Sequence, residues 1–142
     1  MDLIKQVTDE ERASWPKVVK VPLEKAFEDA RGSIQPLVDV TMESCVLISS
    51  KKGAVRANHY HKTDWHYCYV LSGEIHYYHR PTGTTQTPEK VTIGPGELFF
   101  TPPMVDHAMV FTQDTVFLTL GRNSREQAVY EADVVRIPPI DP

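Results

Sequence analysis

The chain has 142 residues, 41% of them hydrophobic, and a formal net charge of −4. That length suits one domain with one core, and that apolar share excludes a disordered chain. No basic block marks a nucleic-acid surface, and no apolar run approaches the roughly 20 residues that span a bilayer.

The N-terminal MDLIKQVTDEERASW lacks the basic-then-apolar plan of a secretory signal. The expectation is a cytoplasmic protein whose Cys45 and Cys68 are reduced thiols. With no C-x-x-C pair, any metal site must draw on other side chains. Thr8-Asp9-Glu10-Glu11 has the form of a capping box and predicts a short helix that ends near Trp15, before Pro16. Leu23 to Ala30 (LEKAFEDA) is expected to form a second helical turn or two, capped by Gly32.

From Ser33 the texture becomes β. Nine short runs are rich in Val, Ile, Thr, Tyr and Phe: IQPLVDV, SCVLISS, VRANHYH, HYCYVL, EIHYYHR, KVTIG, ELFFT, HAMVFT and TVFLTL. Turn residues separate them, among them Lys52-Gly53, Ser72-Gly73, Pro81-Thr82-Gly83 and Pro102-Pro103. In Gly94-Pro95-Gly96-Glu97 the Pro and second Gly stand where a type II turn needs them. Strands at this spacing predict an all-β sandwich or barrel. The chain then divides into an N-terminal extension (1–32), a β-barrel (33–121) and a polar, Pro-rich tail (122–142) packing on the barrel or on a partner. HYCYVL and ELFFT carry more apolar surface than one small interior needs, which points to a homodimer.

Four of the six histidines form a pattern. His59 and His61 are two apart in VRANHYH, so both imidazoles leave the same face of a strand. Lys62 to Trp65 turns the chain, and His66 opens the next strand beside the first. His107 follows the Pro102-Pro103 corner, and a rolled sheet brings all four together. Imidazole nitrogen suits one divalent transition metal: zinc, iron, manganese or nickel. The ordinary alternative is that some of the four are unrelated surface or core residues.

The spacing resembles the cupin superfamily, whose first motif reads G-x5-H-x-H-x(3,4)-E-x6-G. Here Gly53, His59, His61, His66 and Gly73 stand at those intervals, with His66 in the glutamate position. The second motif, G-x5-P-x-G-x2-H-x3-N, is similar to GELFFTPPMVDHAMVF, in which Gly96, Pro102 and His107 keep their places. Met104 replaces the glycine and Phe111 the asparagine. The resemblance implies a double-stranded β-helix, a jelly-roll barrel, after a short N-terminal helical segment. It also implies a metal held by His59, His61, His66 and His107.

Upstream, FEDARGSIQPL and VRANHYHK resemble segments of the dTDP-4-dehydrorhamnose 3,5-epimerases and of cupins of polysaccharide biosynthesis. In those epimerases the histidine matching His59 is a general base, and the arginine matching Arg56 helps hold nucleotide phosphates. Because His61 stands where they carry a non-ligand residue, His59 is assigned here to the metal set.

Tyr60, Tyr67 and Tyr77 are the candidate acids or bases, and Arg56 and Trp65 the candidate substrate contacts. Most aromatics on these strands are expected to pack, and Cys68 is expected to be a small buried residue. His76 and His79 fall on opposite faces of one strand and are expected to be exposed. Asp106 is expected to be solvated, or else to orient a ligand imidazole, and Glu97 to sit in its turn.

Three functions fit this reading. The first is a metal-dependent isomerase or epimerase acting on a sugar or nucleotide sugar, with the metal as Lewis acid. The second is an iron or manganese dioxygenase that cleaves a carbon–carbon bond. The third is a non-enzymatic ligand-binding cupin with a structural zinc.

Overall fold

The structure, a computed structural model, describes residues 3–140. A helix, α1 (Asp9–Ser14), precedes strands β1 (Lys20–Val21), β2 (Phe27–Asp29), β3 (Gly32–Ile34), β4 (Ser44–Ser50), β5 (Val55–His61) and β6 (His66–Ser72). Then come β7 (Ile75–Pro81), β8 (Glu89–Ile93), β9 (Leu98–Thr101), β10 (Val105–Phe111) and β11 (Thr115–Gly121). Helix α2 (Gln127–Asp133) and β12 (Val134–Arg136) complete the order. No helix is long and apolar enough to cross a membrane.

Two five-stranded antiparallel sheets face each other as a jelly roll: β1-β9-β6-β11-β4 and β12-β5-β10-β7-β8. They are not joined by a continuous ladder into a closed cylinder. Val70, Ile75, Ile93, Phe99, Phe111 and Phe117 from both sheets fill one end of the space between them. The alternating sequence of each strand dictates this, since period two sends every second side chain inward. At Gly94–Glu97 the chain turns as its residues require. Gly96 has φ +78°, Glu97 N–H donates to Gly94 O at 3.2 Å, and the Glu97 carboxylate accepts from Gly94 N–H at 2.7 Å.

The capping box is present at α1, where Thr8 and Glu11 satisfy each other's backbone N–H groups. The second helix expected over Leu23 to Ala30 is a hairpin instead, β2 pairing with β3. Asp29 accepts the Arg31 N–H at 2.9 Å, and Gly32, at φ +136°, closes the turn. Phe27 and Ile34 stay exposed, so there is no surface against which an amphipathic helix here would bury its apolar face. After Ile34 the run IQPLVDV forms no strand; Pro36 offers no N–H to a ladder.

The apolar surplus read as a dimer face is covered within the chain. Tyr69 and the buried Tyr67, Leu98 and Phe100 lie under Val7, Trp15, Val21, Leu23, Val38 and Met42 of the N-terminal third. Arg122 fastens this cover. Its guanidinium donates to both Glu11 carboxylate oxygens at 3.0 Å and to the carbonyls of Lys5 and Gln6, and it lies 5.1 Å from the Trp65 ring.

Candidate metal centre and cavity

Strand β5 carries a bulge that aims its histidines. His107 pairs with His59, but Ala108 pairs with Ala57, so Asn58 is the extra residue. Ala57 and Asn58 both lie in the left-handed region, at φ +71° and +55°. Such conformations cost roughly 1–2 kcal/mol each outside glycine, and bulges recur beside functional sites. The tail offsets this, with Ile137 N–H donating to Asn58 O at 3.0 Å and Ile140 N–H to its Oδ1 at 2.8 Å.

Beyond the bulge, His59 and His61 leave one face, their ring centroids 4.7 Å apart, and His107 lies 4.7 Å from His59. One nitrogen from each of His59, His61 and His107 falls within 4.8 Å of the others. Burial pushes all three pKa values down, His59 to about 3 and His107 well below the ordinary value, so the rings are neutral at pH 7. Hydrogen bonds fix two tautomers. His61 Nδ1 donates to Asp133 at 3.0 Å and His107 Nδ1 to Val105 O at 3.0 Å, leaving each Nε2 with a lone pair. His66 lines the same cavity, 4.8 Å from His61 ring to ring, with its Nε2 held 3.0 Å from Asp64. That leaves Nδ1 as its free nitrogen.

Asp133, at the end of α2, holds the corner that joins β5 to β6. Besides His61, it accepts from Thr63 N–H and Thr63 Oγ1, both at 2.7 Å. Burial opposes its charge, but the His61 and Thr63 hydrogen bonds outweigh burial and keep its pKa below the carboxylate range. Asn123 braces the same corner through Thr63 Oγ1 and Asp64. Neither Asp133 nor Asn123 was singled out from the sequence: a carboxylate 72 residues from its histidine leaves no local pattern.

The histidines lie in a cavity of about 170 Å³ between the sheets. Val46, Ile48, Phe99 and Met109 give it apolar walls, and Thr101 and Thr119 add hydroxyls. Arg56 lines it, and Arg125 and Tyr130, unmarked in the sequence, do so too.

The other sequence candidates lie elsewhere. Trp65 and Tyr67 are buried under the N-terminal cover, packed against Trp15 and Phe100. Tyr60 belongs to the opposite face of β5 from His59 and His61 and pairs in register with Val135. Tyr77 is buried with its hydroxyl 3.0 Å from Thr101 Oγ1, and burial raises its pKa. Cys68 is the exception: it lines the cavity as a buried thiol, its pKa pushed up to about 12 by burial. His76 and His79 are half-buried rather than exposed, facing Glu74 and Glu89. Asp106 is buried rather than solvated, and it binds Arg80 and Thr82 rather than an imidazole.

The cupin domain model matches residues 46–121, the stretch that holds all four histidines. This chain belongs to the cupin domain family. Comparison with curated proteins returns no match. Among solved structures the cupin is similar to QdtA, a sugar 3,4-ketoisomerase from Thermoanaerobacterium thermosaccharolyticum solved in complex with TDP. The identity is 20% over 83% of this chain and 85% of that one, with a TM-score of 0.64. It is similar to the dTDP-4-dehydrorhamnose 3,5-epimerase of Sulfolobus tokodaii at 18% identity, covering 75% and 71% of the two chains, TM-score 0.60. It is also similar to the capsular polysaccharide assembling protein CapF of Staphylococcus aureus at 19% identity. There it covers 83% of this chain but 35% of CapF, with a TM-score of 0.60. At these identities the likeness is one of fold.

Proposed function

We propose that this cupin is a metal-dependent enzyme that isomerises or epimerises a small sugar or nucleotide sugar. The observation that carries the reading is the convergence of three neutral imidazole nitrogens on one cavity, two of them freed by hydrogen bonds on the opposite ring nitrogen. This donor set fits a borderline divalent ion, and the carboxylate behind His61 is the usual support for such a ligand. His59, His61 and His107 would hold the ion, while His66, outside that three-histidine cluster in the structure, lines the same cavity with Asp64 behind it. A bound ion supplies Lewis-acid polarisation of a substrate carbonyl. The apolar walls exclude water, while Thr101 and Thr119 orient sugar hydroxyls. Tyr130, 6.1 Å from His61 ring to ring, brings its Oη as the group that moves a proton at the carbon beside the carbonyl.

The test is metal analysis of protein purified without added metal, coupled to deuterium uptake from D2O into 4-keto sugars. His59→Ala, His61→Ala and His107→Ala should each lose most of the metal, and His76→Ala should keep it. Wild-type metal content in all three refutes the centre. A second reading rests on the buried His61–Asp133 pair, which suits His61 Nε2 to take the substrate proton without metal. Exchange that survives EDTA selects it. Iron or manganese with substrate-dependent oxygen uptake selects a dioxygenase.

A further inference from the structure

We propose that the substrate of this cavity is a small sugar derivative ending in an oxyanion, a carboxylate or a phosphate monoester, gripped at the cavity mouth by Arg56 and Arg125. The inference rests on the sugar reading above and names the class of sugar.

Arginine placement carries it. The chain has seven arginines, and Arg12, Arg31, Arg80, Arg122 and Arg136 are each paired with a carboxylate. Among the described residues the two without such a partner are Arg56 and Arg125, and these two line the cavity. The chain has 19 acidic residues, yet none of the cavity-lining residues is acidic. A protein of net charge −4 therefore keeps its uncompensated guanidinium groups at one opening.

Both groups are held in place. Arg56 Nε donates to Ser50 Oγ at 2.6 Å and its Nη2 to Ser49 O at 3.0 Å, which leaves Nη1 unengaged. The Arg125 guanidinium lies 4.3 Å from the centroid of the Tyr130 ring. A planar, pre-oriented fork of this kind matches carboxylate and phosphate oxygens. A neutral sugar would leave both without a counter-charge.

Size sets the rest of the class. At about 170 Å³ the cavity is smaller than the roughly 300 Å³ that encloses a drug-sized ligand. Its enclosed part has room for one sugar ring, and the rest of a nucleotide sugar would lie outside it at the opening.

Isothermal titration of the purified protein with glucuronate, glucose 6-phosphate, glucose, dTDP-glucose and malate tests the proposal, because binding is read without turnover. One or both anionic sugars should bind at least about tenfold more tightly than glucose, as expected for a charge-assisted contact. Which of the two binds better separates carboxylate from phosphate. The Arg56→Gln/Arg125→Gln double variant should lose that preference, and Arg31→Gln, on the distant hairpin, should keep it. Thermal unfolding checks that the variants fold, and the single variants Arg56→Lys and Arg125→Lys should retain part of the preference. Equal binding of glucose and the anionic sugars overturns the arginine grip and leaves the sugar reading standing. A preference that survives the double variant also overturns it, as does dTDP-glucose binding tenfold more tightly than glucose 6-phosphate. Binding of malate with no binding of any sugar overturns the proposal by removing the sugar reading beneath it. Failure of both anionic sugars to bind overturns it outright.

Discussion

Replacing Asp133 with asparagine changes one oxygen into an NH2 group within a fully buried cluster. The native carboxylate accepts at 2.7 Å from Thr63 N–H, at 2.7 Å from Thr63 Oγ1 and at 3.0 Å from His61 Nδ1. If the new amide nitrogen faces Thr63, it meets a backbone N–H that cannot change its proton. It therefore turns toward His61, where the opposing backbone N–H, from Asp64, lies farther off at 3.3 Å and the imidazole can move its proton from Nδ1 to Nε2. That shift removes the lone pair that His61 presents to the cavity. Hydrogen bonds to a charged acceptor contribute about 1.5–3 kcal/mol each, and Asp133→Asn keeps the contacts but removes the charge. We expect a loss of about 2–4 kcal/mol in stability, and about 3–5 kcal/mol for Asp133→Ala, which strands the donors. Metal affinity of Asp133→Asn should fall about 10–100-fold. Urea unfolding gives the first quantity, and competition with a chromophoric chelator gives the second. A variant within about 0.5 kcal/mol of wild type, the noise level of surface substitutions, and with unchanged metal affinity, would refute the account of the corner.

Three further outcomes are expected. His66→Glu should keep metal but shift its preference toward harder ions, because oxygen replaces nitrogen; if His66→Glu and His66→Ala lose metal alike, His66 is not a ligand. Burial opposes the charge of Glu11, yet the Arg122 and Thr8 hydrogen bonds hold its pKa below the usual value. Its contribution is therefore present above the unfolded carboxyl pKa and lost as pH falls through the lowered folded one, below about pH 4. The N-terminal cover should loosen there, read as a change in Trp15 and Trp65 fluorescence; an identical acid profile in Glu11→Gln would show that another group drives it. A homodimer remains expected, now through the exposed Phe27, Ile34, Leu47 and Val55 rather than through the covered aromatic face. Light scattering at the 16.1 kDa of one chain across concentrations would rule it out, and Leu47→Glu should weaken a true dimer.

What the sequence made legible is what local rules control. The capping box, the Gly-Pro-Gly turn and eight of the nine expected strands follow from turn chemistry and period-two alternation, whereas His66, expected on a strand beside β5, opens β6 in the facing sheet. The hairpin at Phe27 to Ile34 was misread as helix because LEKAFEDA has helical propensity and no surface on which to express it. Tyr67 and Trp65 were misassigned for a related reason. Alternation says that they leave one face of β6 or its approach, but not that the N-terminal third folds over that face. Asp133, Asn123 and Arg125 belong to a tail without strand periodicity, and only the folded chain brings them to the histidines.

The corner between β5 and β6 has a kinetic consequence. It is clasped from one side by Asp133, 72 residues from His61, and reached from the other through Arg122, which joins Glu11 across 111 residues. Contacts of such separation carry a large loop-closure cost and form late. A refolding chain can zip β7 to β8 and lay β10 against β7 while that corner is still unclasped. Recovery of sheet signal should therefore run ahead of recovery of function, and the interval between them is the time that both ends of the sequence take to find one four-residue bend.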